Sequence, residues 1–171
     1  RDILGAVQGR GGCRILVALK GFAMFSVCPT IRRRLRGVAA SSLYEARLGR
    51  ETFGGEVHVY APAFRDDEFD ELLRYADHLV FNSFSQWRRH RPRAVSAKPE
   101  VSCGIRVNPE HSEARIALYD PCAPFSRLGV TRGQFREGDL DGIEGIHFHT
   151  LCEQDADALA VREPQAAPDR L

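Results

Sequence analysis

Short apolar runs alternate with amphipathic stretches along this chain of 171 residues. The run over 13–20 (CRILVALK) is the sharpest: Ile, Leu, Val and Ala lead to Lys20, and Gly21 follows at once. So short an apolar run between glycines predicts a strand buried on both faces. Further strands are expected over 37–40, 57–61, 78–82, 101–107 and 143–149. Between them the pattern predicts helices over 25–35 (with Pro29 in the first turn), 42–49, 66–76 and 85–91. Ser42 and Glu45 have the S-x-x-E spacing of a capping box, and Gly49 suits the end of that helix. In 66–76, Asp66, Asp67 and Glu68 favour the N-terminus, while Phe69, Leu72, Leu73 and Ala76 supply the apolar stripe. The stretch 92–99 reads as a charged, proline-bearing connection. The stretch 108–128 reads as a long loop, of the kind that usually carries function.

Strand then helix, repeated about five times, predicts a parallel sheet with crossover helices, an α/β fold. A complete eight-stranded barrel takes roughly 250 residues, so a barrel here is expected to be partial, with no second β-domain. Periodicity stops near residue 160. Residues 1–159 therefore read as one partial-barrel domain and 160–171 as a disordered tail.

Reactive groups gather at the carboxyl ends of parallel strands. Aligning the strand ends brings together Lys20, Ser41, Ser42, Glu45, Asn82, Ser83, Arg106, Asn108, His147, His149, Thr150 and Cys152. Lys20 is expected in a half-dry mouth, where an amine can serve as a nucleophile, or else as a lysine that snorkels out of a strand end. Glu45 has a second reading as the capping-box acid, and Arg106 as an ion-pair partner of Glu110 or Glu113. His147 and His149 are two apart on a strand and point the same way. With Cys152 they invite a zinc reading, but no other strand end offers a histidine or aspartate to complete the set, so no metal site is expected.

Net charge narrows the field. Basic and acidic residues nearly cancel at +1, which gives no reason to expect a nucleic-acid partner. No apolar stretch approaches the roughly 20 residues of a membrane span. Five cysteines, odd in number and without a CxxC pair, point to a reducing, cytoplasmic compartment. The chain opens on Arg rather than Met, as a piece of a longer sequence would.

The segments ALKGFA, ASSLYEARLG, GGEVHVYAP, FNSFSQW, CGIRVNPEHSE, LYDPCAPFSRLG and GIHFHTLCE, in that order over about 12–158, resemble the carboxynorspermidine/carboxyspermidine decarboxylases. These belong to the pyridoxal-phosphate (PLP) enzymes of the alanine racemase and ornithine decarboxylase fold. The resemblance implies a PLP-binding (β/α)8 barrel with a following β-domain, a homodimer, and decarboxylation of a polyamine precursor in spermidine or norspermidine biosynthesis. It implies that Lys20 holds PLP covalently, that His149 stacks on its ring, and that Glu45 and Arg106 stand at the cofactor rim. Cys152 falls where related decarboxylases place a serine near the phosphate. The family's glycine-rich phosphate loop and the acidic residue at its pyridine nitrogen have no counterpart in the chain. The expectation is thus an N-terminal fragment, inactive by itself. Two alternatives stand beside it: another amino-acid decarboxylase of the fold, acting on ornithine or diaminopimelate, and a PLP-binding barrel protein without catalysis.

Overall fold

The computed structural model describes residues 12–112, 114 and 116–150. Six strands lie side by side in sequence order: β1 (Leu16–Ala18), β2 (Gly37–Ala40), β3 (Glu56–Tyr60), β4 (His78–Phe81), β5 (Ser102–Arg106) and β6 (Gly145–His147). Every neighbouring pair is parallel. Parallel neighbours need crossover connections. Four helices provide them: α1 (Cys28–Arg32), α2 (Leu43–Leu48), α3 (Phe69–Tyr75) and α4 (Phe84–Ala97), while a long connection with three short 3₁₀ turns links β5 to β6. The result is a half-barrel, the partial (β/α)8 architecture expected from the strand–helix repeat.

Two faces of the sheet carry different chemistry. On the convex face Val38, Val57, Val59, Leu79, Phe81 and Ile105 are fully buried, and Phe69, Leu72, Leu73 and Trp87 of the helices pack over them. Each such side chain contributes on the order of 1.5–3 kcal/mol by leaving water, so this face holds the fold together. The concave face takes the alternate residues. Register aligns Ala39, His58, His78 and Ser102 in one row, and Arg106 with His147 in a higher one.

Local differences from the sequence reading have physical causes. β1 is an edge strand whose residues are half-buried to exposed, not a strand buried on both faces. The helix expected over 25–35 is a 3₁₀ turn followed by the short α1, with Pro29 in its first turn as expected. After α2 the chain continues as a wide π-type turn, Gly49–Phe53, and ends on Gly54 at φ +70°. Gly49 serves packing instead of helix termination, because a Cβ there would stand 2.4 Å from Val38 Cγ2. The capping box is only half formed. Ser42 Oγ accepts from Glu45 N, but the Glu45 carboxylate turns to Ser41 N and Oγ. Helix α4 runs through Pro92 to Ala97, where a connection was expected. Burial of Trp87, His90 and Ala94 along one side outweighs the hydrogen bond that Pro92 cannot donate.

No helix among the described residues is long and apolar enough to cross a membrane. Cys28, Cys103 and Cys122 are buried and form no disulfide among the described residues. The tail expected to be disordered lies outside the described residues.

Candidate active site

At the carboxyl ends of the strands the concave face opens into a cavity of about 470 Å³. Lys20 reaches it from the end of β1, Ser41 from β2, Tyr60 from β3, Arg106 from β5, and His147 and His149 from β6 and the residues after it. The 118–121 loop and Leu128 form the outer wall. Convergence on one rim is thus realised for Lys20, Ser41, Arg106, His147 and His149. Lys20 itself is exposed, not half-dry, because it stands beyond an edge strand.

Arg106 and Tyr60 define the floor. The Arg106 guanidinium carbon lies 4.7 Å from the Tyr60 ring centroid, a cation–π contact strengthened by burial of Arg106. His147 stacks on the same ring at 5.0 Å and 20°. The Tyr60 hydroxyl donates to Asn82 Oδ1 at 2.8 Å. Asn82 then ties down the 127–129 segment: its Nδ2 donates to Arg127 O, and its Oδ1 also accepts from Gly129 N. Gly129 has φ +84°, and a Cβ there would meet Arg106 Cγ and the backbone after it at about 3.0 Å. Only glycine both adopts that turn and leaves Arg106 its place.

Two polar nitrogens at this floor are buried without a hydrogen-bond partner, Arg106 Nε and His147 Nδ1. Such orphans cost free energy and are uncommon in folded proteins, so both nitrogens are open to a polar ligand or to water. Burial foremost, then the Arg106 guanidinium and the nearby His149 and Lys20, push His147 down to about 4. His149 is lowered by burial, then by Arg106 and Lys20. Burial raises Tyr60, with Arg106 opposing. The site is therefore positive in character and holds its imidazoles neutral, which suits an anionic, flat ligand.

The remaining candidates divide. Glu45 stands behind the wall, where its Oε2 accepts from Ser41 N at 2.7 Å and Ser41 Oγ at 2.9 Å, so it fixes a cavity residue without lining the cavity. Ser42 and Ser83 are N-caps, accepting from Glu45 N and Gln86 N. Asn108 Oδ1 accepts from Glu110 N in a turn. Cys152 lies outside the described residues. Sequence reasoning passed over Tyr60, Asn82 as an anchor for the loop, and Gly129. The alternation E-V-H-V-Y, with polar or aromatic residues at every second place, was the signal that could have found Tyr60.

A parallel half-barrel with a lysine, an arginine and two histidines at the carboxyl ends of its strands is the class of protein that the fold and site define. No protein-family model matches the chain. Its curated relatives are more specific. Over 92% of its length it is 40% identical to the carboxynorspermidine/carboxyspermidine decarboxylase of Campylobacter jejuni. Over 92% it is 43% identical to the carboxyaminopropylagmatine decarboxylase of Synechocystis. Over 89% it is 40% identical to the carboxynorspermidine/carboxyspermidine decarboxylase of Herminiimonas arsenicoxydans. The crystal structure of the Campylobacter jejuni carboxynorspermidine decarboxylase complexed with norspermidine superposes with a TM-score of 0.78 at 37% identity, over 92% of this chain and 39% of that one. The chain is a homologue of the carboxynorspermidine/carboxyspermidine decarboxylases, and it spans about 40% of the length of these curated relatives.

Proposed function

We propose that this chain forms part of a PLP-dependent carboxy-lyase acting on carboxynorspermidine or carboxyspermidine, to give norspermidine or spermidine in the cytoplasm. The observation that carries the reading is the pair of unpartnered buried nitrogens on Arg106 and His147, in one cavity with the free amine of Lys20. PLP fits that set: an aldehyde for the lysine amine, a flat ring for the imidazoles, and negative oxygens for the guanidinium. When bound, PLP supplies the electron sink that makes loss of an α-carboxylate feasible.

The residues of this chain have distinct tasks in that reading. Lys20 would hold the cofactor through its amine and, once displaced by the substrate amine, carry a proton at Nζ to the reacting carbon. His149 would lie on the ring face and limit its tilt. Arg106, held over Tyr60, would donate to an anionic oxygen without moving. Glu45 would position the Ser41 hydroxyl at the rim. A second copy of the chain, as in the homodimers of the family, would cover the exposed Leu118, Tyr119 and Phe125 beside the cavity. The 43% identity to the carboxyaminopropylagmatine decarboxylase favours a second substrate reading, a guanidino-bearing analogue of the same carboxylated polyamine.

Borohydride reduction of the chain saturated with PLP is expected to fix the cofactor on Lys20. Lys20 and Lys98 are its two lysines, and Lys98 Nζ is engaged by the Ala76 carbonyl at 2.7 Å. Peptide mapping that finds the label on Lys98, or finds none, would rule the assignment out. Histidine substitutions separate the two imidazoles. His149→Ala is expected to weaken PLP binding up to about tenfold, as loss of one ring-face contact should. His147→Ala should cost stability and change PLP affinity less. Titrating PLP absorbance and urea unfolding on the same samples checks this, and reversed effects would exchange the two roles.

A further inference from the structure

At the opposite, N-terminal end of the strands the concave face carries ligating groups that the cavity does not use. Glu56 and His58 are two apart on β3 and project to one side, and His78 on β4 is the register partner of His58. Ligating atoms of the three lie within 4.8 Å of one another. His58 Nε2 stands 3.3 Å from Glu56 Oε2, and the His58 and His78 rings stack at 3.9 Å and 18°. The other carboxylate oxygen of Glu56 accepts from an Arg14 guanidinium nitrogen at 2.6 Å, which fixes its direction. All three side chains are half-buried, backed by the sheet yet reachable from solvent.

We propose that Glu56, His58 and His78 bind a divalent transition-metal ion, zinc by preference, as a clamp between β3 and β4. Two imidazole nitrogens and one carboxylate oxygen are a three-ligand set that zinc accepts, with the fourth position left for water. The Ser102 hydroxyl is placed in the same row, since Ser102 is the register partner of His78. Zinc holds its ligands at about 2.0–2.2 Å, so binding draws the donors closer and tilts the two rings out of their stack until both lone pairs meet the ion. Strand positions suit this better than loops, because β3 and β4 hold the donors in register. Tyr60 is two residues along β3 from His58, roughly 6.6 Å at the usual strand rise. The ion therefore sits one row beneath the Tyr60 floor and braces the barrel instead of meeting the ligand of the cavity. No metal site was expected from the sequence, where the candidate ligands were His147, His149 and Cys152; this set lies at the other end of the strands. The inference stands independently of the PLP reading.

Calorimetric titration of the chain with zinc chloride, with cobalt(II) substituted as a visible-absorbance probe, tests the clamp. One equivalent is expected, with a rise in the thermal midpoint. His58→Ala and His78→Ala should each weaken binding by at least about tenfold, whereas His111→Ala, in an exposed loop, should leave it unchanged. Absence of stoichiometric binding, or binding that survives both substitutions, overturns the proposal. Should a variant lose its far-ultraviolet circular dichroism, the wild-type chain decides. Zinc must shift the imidazole NMR signals of His58 and His78, and shifts confined to other histidines overturn the site.

Discussion

The 171-residue chain on its own is expected to release no CO2 from carboxynorspermidine above a buffer control, even with saturating PLP. It spans about 40% of the length of its relatives, and the described sheet has six strands where a closed barrel has eight. In the proposed reading Lys20, Arg106 and His149 would supply covalent attachment, charge and a ring-face contact. The resemblance calls for a glycine-rich phosphate loop and a pyridine-nitrogen acid, for which no counterpart is expected in this sequence. PLP without those anchors would bind weakly and be poorly oriented, and misorientation of about 1 Å can cost catalysis on the order of a hundredfold. Among the described residues no strand pairs with the outer edges of β1 and β6, and Ile146 and Phe148 are 63% and 58% exposed. Open strand edges beside apolar side chains pair with other chains. Sedimentation should therefore show association that grows with concentration. Labelled CO2 evolved by a strictly monomeric sample would defeat this expectation.

Stability is expected to fall steeply as pH drops from about 6.5 to 4, and His147 should carry the largest share. Its folded value is about 4 against an ordinary value of 6.5, so within that window the unfolded chain binds the proton and the folded one does not. Unfolding is thus favoured by acid: the stabilisation is complete above about 6.5 and is lost on the way down to 4. One fully linked proton gives a slope of about 1.4 kcal/mol per pH unit. His147 keeps partial contact with solvent, so the whole swing should be nearer 2 kcal/mol than the limiting value. His58, His90 and His149 are lowered too and add in the same direction. Urea unfolding of the chain and of His147→Phe at pH 7 and pH 5 measures the difference. The phenylalanine keeps the ring stacked on Tyr60 and should flatten the profile; an unchanged slope would show that His147 is not the group that titrates.

Much of the fold was legible because parallel strands buried against helices leave short apolar runs. Val57, Val59, Leu79, Phe81 and Ile105 made β3, β4 and β5 visible, and the order of runs implied the parallel half-barrel. The lysine at the end of β1 and the pair His147 and His149 were legible for the same reason, since strand ends can be located even when strand register cannot. Pro92 misled, because local propensity says little about a helix whose Trp87, His90 and Ala94 are held by tertiary burial. Gly49 misled likewise, since a glycine that ends a helix and one that admits a neighbour's methyl group look identical in a sequence.

By itself, the sequence determined the repeat of strand and helix, the positions of strand ends, and the chemical types gathered there. Those follow from periodicity and burial over a few neighbouring residues. Only the tertiary structure decided which of those groups meet. Register set His58 beside His78 and Arg106 beside His147, and the return of the 127–130 segment to β5 brought Gly129 to Asn82 and Leu128 to the cavity wall. Contacts between residues 20 to 50 positions apart depend on how strands are staggered and how loops close. No local pattern encodes that stagger, because it is settled by the packing of the whole sheet against its helices.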